Sequence, residues 1–342
     1  MQCETKQEVK KLKKVITIML CVMMCGLSLG VFTACKKDTD VIKLNEVTHS
    51  VFYAPLYVAI NLGFMEDEGI KIELENGQGS DKSMAALLSN NADIALMGAE
   101  TVIYVAAQGS TSYPIIFGQL TKRDGSFLVS RTNEKDTFNW ATSLQGKKVI
   151  AGRKGGLPAM TFEWIVNSVN LYDGTNITLD TETSFAMQVP VFDSGEGDYC
   201  TMFEPTATEY EESGRGYIVA SVGEYSGEIP YTCFMAKPSY IAQNKDKIEG
   251  FLRAVKKAYV YIMTHSDEEV AEALVKSFDG STVESLAKAV KSYKNIDAWC
   301  SSPEMSQVAY RNLLEVLNNA GELDGTVAFN QVVDNSYALS IA

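Results

Sequence analysis

A chain of 342 residues, 46% hydrophobic and 21% charged, has the apolar content to bury a large core and is no disordered composition. Chains of this length usually divide their core between about two lobes or domains. Lys and Arg number 30 against 43 Asp and Glu, and without residues 1–34 the balance becomes 25 against 41. A surface that acidic repels phosphate backbones, so nucleic acid is excluded as a partner class.

The N-terminus reads as an export segment. Lys10, Lys11, Lys13 and Lys14 precede an uncharged apolar run over 15–34, the pattern of a basic leader followed by a membrane-inserting stretch. At about 20 residues the run is also long enough to span a bilayer, but Gly26, Ser28 and Gly30 weaken its second half. Phe32-Thr33-Ala34-Cys35 resembles a lipoprotein cleavage box, in which a small residue admits the peptidase and the Cys35 thiol takes the lipid. We therefore expect a signal peptide over 1–34 and a tether over 35–40.

Beyond the tether, 41–47 alternates as a half-buried strand does, and Leu56, Ala59, Ile60 and Phe64 follow at helical spacing. Ile70, Ile72 and Leu74 alternate with charged neighbours as a second strand. Gly77-Gln78-Gly79 turns into Ser80, expected as an N-cap, and a helix carrying Met84, Leu87 and Leu88. A third strand over 92–97 ends at Gly98. Strand and helix in alternation argue for a parallel sheet covered by helices. A helix over 101–108 and strands over 113–120 and 127–129 come next. The polar stretch 131–142 is the expected first crossing into a second lobe.

That lobe repeats the logic: a strand over 147–151, a glycine-rich turn over 152–156, Pro158 in the first turn of a helix, and Phe162, Ile165, Val166 and Val169 on one face. Strand or helix pieces follow at 176–179, 186–191 and 198–203, then a strand at 217–222. The segment 224–234 is the expected return crossing. The domain expectation is 41–130 for the first part of lobe one, 131–226 for lobe two, and 227–342 for the return and the C-terminal helices. Ile248, Phe251, Leu252, Val255, Tyr259 and Ile262 line one helix face, and Ser266 with Glu269, and Ser281 with Glu284, have capping-box spacing. Ser302-Pro303 is expected to open a last helix, and these helices are expected to coat lobe one.

Several segments carry a resemblance in a fixed order. They are FYAPLYVAINLGFMEDEGIKIEL, GQGSDK, NADIALMGAE, QLTKRDGSFLVSR, LQGKKVIAGRKGGLPAM, DYCTMFEPTA and SGEIPYTCFMAKPSYI. Over roughly 41–266 this set resembles the solute-binding proteins of bacterial ABC importers for aliphatic sulfonates, nitrate and the pyrimidine precursor of thiamine. The resemblance implies an α/β fold of two lobes, of the type II periplasmic-binding-protein kind, hinged at the crossings. It implies a small-molecule solute, no cofactor, a permease and a separate ATPase as partners, and a monomer held by a lipid anchor at the outer face of the cytoplasmic membrane.

In open α/β sheets ligands gather beyond the carboxyl ends of strands. That rule selects Phe52 and Tyr53 behind the first strand, Ser80 and Asp81 behind the second, and Glu100 behind the third. In lobe two it selects Arg153, Lys154, Gly155, Gly156 and Glu204, and on the return crossing Tyr231. Phe52 and Tyr53 suit either a ring-stacking wall or a core. Glu204 either meets a structural partner or accepts hydrogen bonds from a ligand amine, since a buried carboxylate left unpaired is costly. Arg153 and Lys154 suit a sulfonate or carboxylate, or a solvated rim. Glycine-flanked helix starts at Ser80 and near Leu157 could each aim N–H groups at an anion, and the resemblance implies that Ser80, Gly155 and Gly156 line the cleft.

His49 is expected to be packed or capped, and Arg123 with Asp124 to form a turn ion pair. Two histidines and scattered cysteines make a zinc site improbable. Cys200, Cys233 and Cys300 read as core thiols, with one disulfide the alternative. GxSxG, HExxH and P-loop patterns do not occur. A fungal enzyme on the resembled fold makes thiamine pyrimidine from its own histidine with a cysteine-rich iron motif, which this sequence lacks. A surface sensor or adhesin is the remaining class. The solute stays open between an amine-bearing heteroaromatic, favoured by the aromatics with Glu204 and Asp81, and a sulfonate, favoured by Arg153 and the helix starts.

Overall fold

Ten strands form two five-stranded sheets in the computed structural model, which describes residues 40–110 and 112–341. The expected signal peptide 1–34, Cys35 and the tether up to Thr39 lie outside the described residues. Strands β1 Asp40–Glu46, β2 Ile70–Asn76, β3 Ile94–Gly98 and β4 Ile115–Thr121 precede the first sheet change; β5 Ser126–Ser130, β6 Lys148–Ile150, β7 Thr178–Asp180, β8 Tyr199–Phe203 and β9 Tyr217–Ser221 follow it. The last, β10 Thr232–Ala236, returns. The sheet orders are β2-β1-β3-β10-β4 and β7-β6-β8-β5-β9.

β1 pairs in parallel with β2 and β3, as the alternation of strand and helix predicts. Each sheet is nevertheless mixed. β10 runs antiparallel to β3 and β4, and β5 antiparallel to β8 and β9. A strand entered directly from the other sheet begins at the end facing that sheet, where its neighbours stop, so it must run against them. Because β5 already belongs to the second sheet, the chain changes sheets over 122–125 and not over the polar stretch 131–142. That stretch is polar because it is surface loop, with Asn139 and Glu134 organising its turns. The return runs over 222–231, overlapping the expected segment.

The two crossings touch. A Cβ on Gly223 would fall 1.9 Å from the carbonyl oxygen of Asp124, so only glycine lets the return pass so close to the outward strand of chain. Asp124 turns its carboxylate to Ser126, accepting from its N–H at 2.7 Å and its hydroxyl at 2.6 Å, in place of the ion pair expected with Arg123.

The C-terminal helices do more than coat the first sheet. The helix Lys245–Thr264 buries Ile248, Phe251, Leu252, Val255 and Ile262 against the first lobe, each such side chain contributing about 1.5–3 kcal/mol. Two later helices also reach the second lobe. Tyr293, in the helix Val283–Asn295, donates to the Gly125 carbonyl at 3.0 Å and accepts from the Glu204 N–H at 3.0 Å. Asn319, ending the helix Gln307–Asn319, accepts from Asn167 at 3.1 Å. Ser266 and Glu269 form the expected capping box; the next helix is capped by Thr282 and the last long one by Ser306, each later than predicted. Cys200, Cys233 and Cys300 are free thiols, and among the described residues no helix is long and apolar enough to cross a membrane.

Candidate functional site

A cavity of about 70 Å³ lies where the two sheets face each other. The first lobe supplies Tyr53, Ser80, Gly98, Glu100 and Tyr231, and the second Arg153, Gly156, Leu157, Phe185 and Phe203. Most contributors end or follow a strand or open a helix, as the strand-end rule requires, while Tyr231 comes just before β10, on the return between the sheets.

Glu100 dominates the chemistry. It is the first residue of the helix Glu100–Ala107 and is 2% exposed. Its carboxylate lies over Gly98, where a Cβ would fall 2.0 Å from Oε2, so β3 must end in glycine for the carboxylate to reach the cavity. Burial pushes Glu100 up to about 7, against the opposing pull of its own backbone N–H, of Arg153 and of the Leu157 N–H. Leu157 opens the helix Leu157–Ser168 of the other lobe, so that helix start faces a carboxylate and not an empty anion site. Oε2 has no hydrogen-bond partner. A buried carboxylate oxygen in that state costs several kcal/mol unless a donor meets it.

The walls are aromatic. Tyr53 and Tyr231 are buried, and burial raises both phenols, with Asp124 adding to the effect on Tyr231. The Tyr231 hydroxyl has no well-formed hydrogen bond. The two lobes also grip each other around the cavity. Tyr104 donates to the Gly155 carbonyl at 3.1 Å, and Arg153 stands 3.8 Å from Asp81 in an exposed ion pair.

Of the residues singled out in the sequence, Tyr53, Ser80, Glu100, Arg153, Gly156 and Tyr231 line the cavity. Ser80 does so as the first residue of its helix, with Gly79 at the cap position, not as the N-cap. Gly155 contributes its carbonyl to Tyr104 behind the wall. Besides Gly155, four placements differ from the site expectation. Asp81 is exposed and stands off the cavity, beside Arg153. Phe52 is fully buried behind the wall, its ring packed against Tyr53, Phe203, Tyr231 and Tyr293. Lys154 points to solvent while its N–H donates to Thr181 at 2.8 Å. Glu204 is 1% exposed, but its carboxylate accepts from the Thr208 N–H at 2.9 Å and hydroxyl at 2.8 Å, so it closes the turn into the helix Thr206–Glu212; it lines a neighbouring cavity and not this one. Phe185 and Phe203 were missed. The strand-end rule reaches Phe203, which ends β8, whereas Phe185 sits in a short turn with no periodic signal.

The model of the NMT1/THI5-like family matches residues 51–269, from the first helix through both crossings to the C-terminal helices. The chain belongs to this family. YtlA of Bacillus subtilis, a protein named for binding with no solute in its name, is 40% identical over 307 residues, covering 89% of this chain and 91% of that one. The 4-amino-5-hydroxymethyl-2-methylpyrimidine phosphate synthase of Aspergillus parasiticus is 23% identical over 224 residues, 62% of this chain and 63% of the enzyme. Among solved structures, the alkanesulfonate-binding protein SsuA of Xanthomonas axonopodis pv. citri, bound to MOPS, superposes with a TM-score of 0.69 at 13% identity, over 86% of this chain and 98% of that one. The fold is therefore that of periplasmic binding proteins, as the ordered motifs imply.

Proposed function

We propose that this chain is the lipid-anchored, extracytoplasmic receptor of an ABC importer, monomeric and without catalytic activity, and that its solute presents an N–H donor on a flat ring to Glu100. The observation that carries the reading is the unpaired Glu100 oxygen in a cavity walled by Tyr53, Phe185, Phe203 and Tyr231. An aminated heteroaromatic satisfies both features, since its amine meets the carboxylate and its ring meets the aromatic walls. A solute touching Glu100 and Tyr53 on one side and Leu157 and Phe185 on the other favours the closed lobes by those joint contacts. A permease reads the closed outline, and the ATPase is a separate chain.

Arg153 in the wall supports a second reading, a sulfonate. That anion meets Glu100 as a like charge unless Glu100 is protonated. Thermal-shift titrations with aminopyrimidines and with alkanesulfonates, at pH 6 and pH 8, separate the two. A ligand at 100 times its dissociation constant adds about 2.7 kcal/mol. The amine reading expects the aminopyrimidine shift to grow toward pH 8; a sulfonate shift that grows toward pH 6, with no aminopyrimidine response, overturns it. Product formation from any of these solutes would remove the non-catalytic assignment.

A further inference from the structure

We infer that the cleft has a second chamber, which takes an uncharged, hydrogen-bond-accepting extension of the solute and reads it with Gln188. This builds on the reading of the cleft as a solute site.

The chamber has a volume of about 260 Å³ and lies beside the first cavity, with which it shares Thr48, Phe185 and Phe203. Phe185 and Phe203, with ring centroids 5.7 Å apart, stand on the boundary between the two spaces. The cavity at Glu100 alone falls well short of the roughly 300–1,000 Å³ usual for small-molecule sites, while the two together reach the lower end of that range. A solute confined to the first space leaves the larger one unfilled.

The polar atoms of the chamber decide what belongs there. Ser50 donates its hydroxyl to the Glu204 carbonyl at 2.6 Å. The Glu204 carboxylate is occupied by Thr208, and the Thr201 hydroxyl donates to the Ile150 carbonyl at 3.4 Å. His49 spends one ring nitrogen on Glu46 at 2.7 Å and the other on the Ser277 carbonyl at 2.5 Å. Among the buried polar side chains of the chamber Gln188 is the exception: it is 3% exposed and its Nε2 has no partner. An amide N–H buried without an acceptor costs about 1–3 kcal/mol, and a carbonyl or ether oxygen on the solute removes that cost. No Lys or Arg lines the chamber, and its two ionisable residues are already engaged, His49 by Glu46 and Glu204 by Thr208, so neither is free to balance a charged tail and the extension is neutral.

The test uses the full chain and four probes: 4-aminopyrimidine, and the same ring carrying at C5 a methyl-ketone chain, an alkyl chain of equal length, or a chain ending in an ammonium group. Calorimetry on the wild type is expected to give the ketone at least a tenfold tighter dissociation constant than the alkyl compound. In Gln188→Met, of similar shape without the amide, that advantage vanishes while alkyl-chain affinity stays. A ketone no better than the alkyl chain, an advantage that survives Gln188→Met, or a preference for the ammonium chain overturns the assignment. The side-chain amide resonance of Gln188 in the wild type gives a readout free of any variant. N,N-dimethylacetamide carries the acceptor and no ring, so it moves that resonance even if no aminopyrimidine binds at Glu100. Loss of ring binding alone therefore sinks the proposed solute class, whereas an unmoved Gln188 resonance sinks the chamber.

Discussion

Glu100 and Glu204 are the same residue type in nearly the same setting: each follows a buried strand, one β3 and the other β8, and each is almost fully buried. Glu204 is answered from within its own turn by Thr208, four residues on. Glu100 has Gly98 beneath it and open cavity before it, and one of its oxygens is left unanswered. Burial and strand-end position thus select both as site candidates, and only the local partner separates a carboxylate answered within the fold from one left without a donor.

The sharpest way to break that comparison is Glu100→Gln. Charge-assisted hydrogen bonds contribute about 1.5–3 kcal/mol, so aminopyrimidine affinity should fall from about tenfold to more than a hundredfold in calorimetry. The same variant should be the more stable protein when empty. A carboxylate whose folded value is raised from 4.5 to about 7 binds its proton more tightly folded than unfolded. Stability therefore falls as pH rises between those values and stays low above them. The penalty at pH 8 is on the order of 3 kcal/mol by pKa arithmetic, so a denaturation midpoint for Glu100→Gln above wild type at pH 8, with the gap closing toward pH 4.5, is the expected pattern.

Glu204→Gln should invert this result. It sets an amide NH₂ against the Thr208 donors, and the loss, about 1–3 kcal/mol, should lower the denaturation midpoint while solute affinity stays within twofold. A lost amine response in Glu204→Gln would erase the distinction drawn between the two residues. Smaller again is the pH dependence of wild-type binding. With Glu100 titrating near 7, an amine that needs the carboxylate should bind about tenfold more weakly at pH 6 than at pH 8. Least affected should be Asp81→Asn. Its partner Arg153 is 3.8 Å away and both side chains are well exposed, so under about 1 kcal/mol is expected in either stability or binding.

The sequence was most legible where period and rule act together. Alternation placed β1 and β2, an apolar run ending in glycine placed β3, and the strand-end rule with the return crossing then pointed to Tyr53, Ser80, Glu100, Arg153 and Tyr231 without coordinates. It failed where the outcome depends on a neighbour in space. The composition of 131–142 suggested a crossing, but polarity marks any solvated loop, and the true crossing at 122–125 is short and partly buried because it lies against the return. Phe52 and Tyr53 are adjacent aromatics with no sequence feature to say that the 3-10 turn Val51–Tyr53 sends one inward and the other to the cavity. The two glutamates show the limit most plainly, since Thr208 answers Glu204 only once the chain has turned into a helix.

The contact of Gly223 with the backbone of Asp124 bears on how the jaws can travel. Two connecting ribbons pressed side by side act as a single axle: neither can bend far without carrying the other. In the closing motion we propose, such a bearing would permit rotation and resist sideways sliding, so that Glu100 would return to the Leu157 helix start at the same place.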